Sequence, residues 1–411
     1  MGRSSLMMVL GFTTALLMIG SNISKVSNAG MENYTYYNNS AMAHSIAGAG
    51  MNLASRAIFE NRLWRTGFSN KTFANGKFTV TVEDLGGSKV KMVSTGTFAG
   101  MDRIVACVLQ PSSFSRYAYY STTDVNGYWV GGDTVWGPMH VNNTLNVAKL
   151  NGIHPVFMQR ATSLNGINNY QGQARPVFKG GYDSGVNVTL PSDLNPLITA
   201  ASTGGKWLQL HGHGGEPVFI EFLANGNVKW RIDGNLDWSG GGWTEEPLTS
   251  FAPNGAVWCN EKNLHIKGVL NGRVTVGAWR DVWIDDDLTY AADPRAGYSD
   301  DMLGLVADSK LYISDNASNR GPNNDFTLMG SIFSRDDGLW AQNYNTRPVE
   351  GKMITVGGQI QKVGGYTGTF SGGTITHGFT PGGTYYDERL MNDAPPYFPT
   401  TGNFEVVSWF E

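Results

Sequence analysis

The chain is poor in cysteine and in charged residues, and both shortages limit the kinds of protein it can be. Only two of its 411 residues are cysteine, Cys107 and Cys259, and charged residues make up 16%. Two widely spaced cysteines form neither a disulfide framework nor a metal motif, and each lies in an apolar run, so we expect buried free thiols. The formal net charge of −4 gives no reason to expect a nucleic-acid partner.

Proline is absent from the first sixty residues, and charge is scarce there. An apolar run extends from Leu6 to Ile19, and an Ala-rich tail leads to Glu60. Ala, Met, Leu and Ser outnumber β-branched residues in that tail, which favours a helix. Met42, Ile46 and Leu53 recur at helical spacing and predict an apolar stripe. We predict one nearly continuous helix over residues 1–60, about 80–90 Å long.

Five glycines interrupt this predicted helix, and we expect none of them to end it. Small residues let backbones approach closely in apolar helix bundles, and local bends form at glycine. The expectation therefore is close helix–helix approach or local bending. The positions concerned are Gly11, Gly20, Gly30, Gly48 and Gly50.

The apolar run has three possible interpretations. A membrane span needs about 20 apolar residues, more than Leu6–Ile19 supplies. A secretory signal fits the basic Arg3, the apolar centre and a small-x-small site ending at Ala29. The third interpretation is a pilin-type stalk, whose helix first lies in the membrane and then packs against its copies in a filament. The predicted filament-assembly residues are Leu6, Val9, Leu10, Leu16, Leu17, Ile19, Met42, Ile46 and Leu53.

The start of the chain resembles the PilX-like group of type IV pilus proteins. In that group a glycine precedes a short apolar helix, and here Gly2 is followed by RSSLMMVLGF. The resemblance makes Gly2 the candidate for prepilin cleavage, although Met7 stands where pilins usually carry Glu. It also implies a subunit that is inserted in the membrane by its helix before assembly. Its partners would be copies of itself and the pilus assembly machinery in the inner membrane, and the filament would be extracellular.

Residues 61–130 are expected to form a small antiparallel meander. Alternating apolar and polar residues fill Gly76–Gln110, and Gly86 and Gly87 separate two strands of a hairpin. A third strand is predicted at Ile104–Leu109. A helix packed on such a meander resembles the globular head of pilins.

From residue 131 onward, short apolar triplets recur between turns rich in Gly, Asn and Asp. Examples are Leu264–Ile266, Val282–Ile284 and Leu311–Ile313. Turns every eight to twelve residues fit a sandwich or a solenoid. The repeats are short and irregular and contain no helical pattern, which favours a β-helix-like body over residues 131–411. The predicted fold class is therefore mostly β with a long N-terminal α-helix.

Three blocks of this body resemble an uncharacterised domain that is attached to PilX-like stalks. They are Gly131–Phe157, Val282–Ala317 and Tyr385–Glu411, and they occur in the same order. The resemblance implies a β-helix-like body on a cell-surface assembly protein. It implies no catalytic residue.

The C-terminal block is expected to cap the body. Prolines cannot extend a strand ladder, large rings bring apolar area, and an open last coil exposes strand edges. A final strand is predicted at Phe404–Trp409. The expected cap residues are Tyr385, Pro396, Phe398 and Trp409.

The sequence contains weak signals for an enzyme or a metal site. His211, His213 and Asp285–Asp287 resemble elements of polygalacturonases, but their order is reversed. Neighbouring residues on a strand point to opposite faces, whereas an inverting hydrolase needs two carboxyls about 6.5–9.5 Å apart around one bond. The histidines lack a third zinc ligand, and the aspartates lack the spacing of a calcium loop. We predict no catalytic, cofactor-binding or metal site.

The sequence therefore predicts a structural, non-enzymatic subunit of an extracellular type IV pilus-like filament. The alternative is a secreted or surface-anchored β-helix protein that binds or degrades polysaccharide. Tryptophans between about residues 230 and 285 fit either interpretation, because exposed rings stack on sugars and buried rings fill a core.

Overall fold

The computed structural model describes residues 2–61, 64–86, 89–124, 127–209, 216–232, 237–321, 323–372 and 374–411. The chain folds as two compact units. The first contains Met1–Gln110 together with Phe404–Glu411, and the second contains Pro111–Asn403. The second unit begins before the expected boundary at 130, because the strand Tyr119–Thr123 pairs within its sheet.

The described elements comprise three α-helices, three 3₁₀ turns and 29 strands. The helices are α1 (Arg3–Glu60), α2 (Asn195–Gly204) and α3 (Leu248–Phe251), and the 3₁₀ turns are Phe114–Arg116, Tyr170–Gly172 and Glu388–Met391. The strands of the first half are β1 (Phe68–Phe73), β2 (Gly76–Gly86), β3 (Lys89–Phe98), β4 (Met101–Ser113), β5 (Tyr119–Thr123), β6 (Thr134–Val135), β7 (Met139–Val141), β8 (Leu145–Val147), β9 (Val156–Phe157), β10 (Ala161–Ser163), β11 (Ile167–Asn169), β12 (Val177–Phe178), β13 (Tyr182–Ser184) and β14 (Lys206–Leu208). Those of the second half are β15 (Val218–Phe222), β16 (Asn227–Ile232), β17 (Thr244–Pro247), β18 (Ala256–Cys259), β19 (Leu264–Leu270), β20 (Arg273–Ala278), β21 (Val282–Tyr290), β22 (Met302–Ala307), β23 (Leu311–Ile313), β24 (Phe326–Ser334), β25 (Leu339–Ala341), β26 (Val349–Val363), β27 (Gly368–Ser371), β28 (Thr374–Tyr385) and β29 (Thr400–Phe410). The predicted fold class is confirmed.

Helix α1 confirms the prediction of one nearly continuous helix. It runs from Arg3 to Glu60 and ends where Asn61 adopts an extended backbone, with φ −139° and ψ 100°. Composition explains this length, because the segment lacks proline and its tail is rich in good helix formers.

In the first unit, α1 packs on a sheet of order β1-β2-β3-β4-β29, in which β1 to β4 are antiparallel. The predicted meander is confirmed, with β2 paired to β3 and β3 paired to β4. Ser94 on β3 donates a hydrogen bond of 2.7 Å to the carbonyl of Ala47, which fixes the helix on the sheet. The core of this unit consists mainly of Ile46, Ala47, Met51, Ala54, Ile58, Phe78, Val80, Val90, Met92, Val105, Cys107 and Leu109.

The second unit is built from parallel ladders, as a β-helix-like solenoid requires. One ladder stacks β14, β18, β20, β22, β24 and β26 in that order. The same ladder continues from β26 through β5, β7 and β10 to β13. A sandwich would instead pair its strands mainly antiparallel.

The coils of this solenoid do not stack in chain order. The chain starts in the middle with β5, reaches one end at β13, and resumes at the other end with β14. From there each new coil stacks closer to the first one, until β26 pairs with β5 and β28 pairs with β6. The connecting segment contains α2, whose Leu197 and Ala201 are buried in one cluster with Trp258. We call the place where these two runs meet the junction.

The three triplets named above stack on one face of the solenoid, between β15 and β25. The first residues of the five stacked segments lie in register and are fully buried, and they are Val218, Leu264, Val282, Leu311 and Leu339. Their middle residues also lie in register, and they are Phe219, His265, Trp283, Tyr312 and Trp340. Alternation along each strand therefore separates a buried aliphatic column from a column of rings. Cys107 and Cys259 are buried free thiols, as predicted.

The expected C-terminal cap is divided between the two units. In the second unit Phe398 is buried and meets Phe333 edge-on at 6.3 Å, while Tyr385 stacks on Trp136 at 5.9 Å. In the first unit, Trp409 lies on β29, which pairs beside β4. The expectation that Trp409 caps the body is therefore wrong, because the open edge of β4 takes up the last strand.

Candidate functional site

The N-terminal part of α1 is a long surface that no other described part of the chain covers. The side chains of residues 2–38 are exposed. Leu6, Leu10 and Leu17 keep 73%, 66% and 72% of their surface exposed. The helix is long and apolar enough to cross a membrane, and its most apolar 18-residue window has no buried residue. We call residues 3–37 the exposed helix segment.

The nine predicted assembly residues fall into three environments. Leu6, Val9, Leu10, Leu16, Leu17 and Ile19 are 55–73% exposed on the exposed helix segment. Met42 is half-buried, and Leu53 is 46% exposed. Ile46 is 1% exposed because it packs into the core between α1 and the sheet. Its assignment to filament assembly was wrong, since its own chain covers it.

Apolar side chains surround the helix on every side over the two turns from Leu6 to Phe12. The run LMMVLGF, Leu6–Phe12, contains no polar residue. Thr13 and Thr14 follow, and their hydroxyls donate to the carbonyls of Val9 and Leu10, each at 2.9 Å. Those bonds satisfy the hydroxyls inside the helix. A helix that is apolar all round is normally buried, which means in a membrane or among other helices.

Two opposite charges stand alone on this helix. Between Ser4 and Ser55 the only charged residues are Lys25 and Glu32. Both are exposed, and in the part of the chain that the structure describes neither takes part in an ion pair. Seven residues separate them, which is about 10.5 Å along the axis and about 20° short of two full turns. They therefore lie on one face, too far apart to pair within one helix.

The glycines of α1 behave as predicted in one respect, because none ends the helix. At Gly11, Gly20 and Gly30 an added Cβ would meet no atom of the chain within 4 Å. At Gly50 it would lie 2.6 Å from the hydroxyl of Ser94, so this glycine permits close packing on the sheet. Close approach between helices of different copies at the first three positions stays a prediction.

The carboxyl groups of Asp285 and Asp287, which were considered for hydrolysis, have different hydrogen-bond partners. Asp285 lies 2.7 Å from Nδ1 of His265 and accepts a hydrogen bond of 2.8 Å from the indole of Trp238. Asp287 accepts from the backbone N–H of Thr327 at 2.8 Å. His211 and His213 lie outside the described residues. Among the residues that are described, no group of three His, Cys, Asp or Glu could hold a metal ion.

The aromatic column on the solenoid presents ring edges. Trp283 stacks on His265 at 5.9 Å and on Tyr312 at 4.4 Å, with interplanar angles of 8° and 23°. The ring faces therefore contact each other. Trp258 is fully buried, whereas Trp279 is 49% exposed. The tryptophans between residues 230 and 285, which the sequence could not assign to the core or the surface, thus include residues of both kinds.

Sequence reasoning missed two features of α1. It did not separate the buried face of the helix tail from its exposed face, because the spacing of Met42 and Ile46 fits either. It also did not single out Lys25 and Glu32. The spacing of seven residues in a nearly uncharged helix was the available signal.

Comparison with known proteins adds little. No protein-family model matches the sequence. No curated protein sequence matches it. Among solved structures, the competence-associated pilin ComZ from Thermus thermophilus is similar, at 13% sequence identity and a TM-score of 0.32, with 90% of this chain and 97% of that chain covered. A likeness at that level establishes neither a family nor a function.

Proposed function

We propose that the chain is a structural, non-enzymatic subunit of a type IV pilus-like filament that assembles through its N-terminal helix. The observation that carries this proposal is the exposed helix segment, which contains the apolar run Leu6–Ile19 and is uncovered by its own chain. Fully burying a Leu, Ile or Val side chain contributes about 1.5–3 kcal/mol, so covering the six residues of Leu6–Ile19 named above contributes on the order of 10 kcal/mol. Such a surface requires a cover.

A membrane followed by copies of the same helix provides that cover in two stages. Before assembly the N-terminal part of the segment would lie in the bilayer, since α1 contains an 18-residue window that is long and apolar enough to cross one. After assembly, copies would surround it on every side, which suits a helix without a polar face. The lone Lys25 and Glu32 would then meet their opposites on neighbouring copies. The resemblance to PilX-like proteins adds cleavage after Gly2, the pilus assembly machinery and an extracellular location to the proposal.

The test is an Asp substitution in the apolar run. In Leu10→Asp a carboxylate would enter a dry helix bundle, which costs several kcal/mol. We expect the purified variant to form no filaments on removal of detergent, as followed by sedimentation and electron microscopy. Asn52→Asp is the matched control, because it adds the same charge at an exposed position on the helix tail. Normal filaments from Leu10→Asp would show that the helix does not drive assembly.

A further inference from the structure

The junction of the solenoid contains a cavity of about 400 Å³. Its walls come from the first coil of the chain, with Tyr119 and Asp133, and from the last coils, with Met353 and Thr384. These coils are joined by the pairing of β26 with β5 and of β28 with β6. The cavity has the volume typical of a site for a small ligand. It belongs to the second unit alone.

Partly exposed rings, those of Tyr128, Trp129, Tyr344 and Tyr366, line this cavity. Trp129 meets Tyr119 at 4.8 Å and 86°, and Tyr344 meets Tyr366 at 5.2 Å and 68°. Tyr128 meets Tyr170 at 5.3 Å and 72°. Edge-to-face contacts leave ring faces available, unlike the face-to-face stacking of the column around Trp283. Apolar faces of ligands pack on such rings.

The charge of the lining disfavours anionic ligands. Among the described residues that line the cavity, none is Lys, Arg or His, while Asp124 and Asp133 are present. Burial raises the pKa of Asp124 to about 6 and that of Asp133 to about 7. The hydroxyl of Tyr119 donates to Asp124 at 2.9 Å and accepts from the amide of Gln361 at 3.0 Å. The described lining therefore has no cation to neutralise a phosphate or a carboxylate, and its two acidic side chains disfavour one.

Neutral hydrogen-bonding groups make up much of the remaining lining. Hydroxyl groups come from Thr134, Thr367, Thr369 and Thr380, and an amide comes from Gln359. Glycines at 364, 365, 368, 382 and 383 add backbone N–H and C=O groups. Many hydroxyls and amides beside ring faces complement a ligand that has hydroxyls on its rim and C–H groups on its face.

We propose that the cavity binds a neutral saccharide unit of one or two rings. The ring faces around Tyr128 and Trp129 would take the sugar face, and the threonine hydroxyls with Asp124 and Asp133 would take its hydroxyls. This binding function lies beyond filament assembly and does not depend on it. It would give the body a ligand outside the cell, while a filament would supply many copies of the site.

The test measures binding to the full chain in detergent micelles. Saturation-transfer difference NMR and calorimetry would use maltose, cellobiose and N,N′-diacetylchitobiose as neutral probes, with choline as a cationic probe and glucose 6-phosphate as an anionic one. We expect saturable binding of at least one neutral disaccharide. Tyr128→Ala should weaken it about tenfold, Tyr128→Phe should keep it, and Tyr298→Ala, at a residue 92% exposed, should not change it.

Three outcomes would overturn the proposal. The first is no binding of any of the three disaccharides at millimolar concentration. The second is binding of choline or glucose 6-phosphate in preference to all of them. The third is disaccharide binding that a folded Tyr128→Ala variant retains in full, with circular dichroism as the check on folding. None of these depends on whether filaments form, so the two proposals fail separately.

Discussion

The charges at Lys25 and Glu32 predict how two copies of the helix align. Both lie on one face about 10.5 Å apart along the axis, so a neighbour displaced by that distance brings its Lys25 level with Glu32. We expect Lys25→Glu alone and Glu32→Lys alone to block assembly. The double variant, with the two charges exchanged, should restore assembly, because residue 25 of one copy and residue 32 of its neighbour again carry opposite charges.

The size of the effect follows from the separation of the charges. Two unit charges 4 Å apart interact by about 4 kcal/mol at an effective dielectric constant of 20. A single reversal replaces attraction by repulsion, a change of about 8 kcal/mol at each contact by the same relation. Each subunit of a helical filament repeats the contact, so the loss recurs along its whole length.

The assay is sedimentation and negative-stain microscopy of the four proteins, prepared side by side. The reasoning is refuted if the single variants assemble as the parent does, or if the double variant stays as defective as the singles. Circular dichroism checks that α1 forms in each. If the parent forms filaments and the single variants do so equally well, only the proposed alignment of Lys25 with Glu32 is refuted. If the parent forms no filaments, the filament proposal itself is refuted.

Three further predictions concern stability. Gly96→Val should destabilise the first unit by about 1–3 kcal/mol in urea titrations, because its Cβ would lie 2.3 Å from the carbonyl oxygen of Ala43, whereas Gly241→Val, with no neighbour within 4 Å, should change little. Asp124, whose pKa rises from 3.8 to about 6 on folding, binds its proton more tightly in the folded chain, so the free energy of unfolding should fall by about 2 kcal/mol between pH 4 and 7. Thermal melts of Asp124→Asn should show a smaller fall, and an unchanged one would contradict the assignment. Deleting Phe404–Glu411 should lower the melting temperature of the first unit, since Phe404 packs on its core, and leave that of the second unchanged.

The sequence predicts the local elements of this chain well. Absence of proline and abundance of Ala, Met and Leu predict the helix to within a few residues of Arg3–Glu60. Apolar triplets separated by turns predict short buried strands, because alternation of side chains is a local property of a strand. The pairing of β2, β3 and β4 follows from short connections between neighbours in the chain.

The sequence does not reveal which strands pair when they lie far apart along the chain. The triplets show that strands form but not which strand stacks on which, and β26 lies far from β5 along the chain. The cavity at the junction is therefore invisible in the sequence. Ile46 was misassigned because helical spacing defines a face without saying what covers it. Trp409 was misassigned because a strand near the terminus can join any open edge.

The central claim is that the exposed helix segment is covered by copies of itself. The most direct measurement is electron cryomicroscopy of the purified full chain after removal of detergent. The account predicts filaments with the helices at their centre, residues 3–37 of each copy in contact with its neighbours and the solenoid outside. Single particles of one chain, or filaments joined through the solenoids with the helices at the periphery, would contradict it.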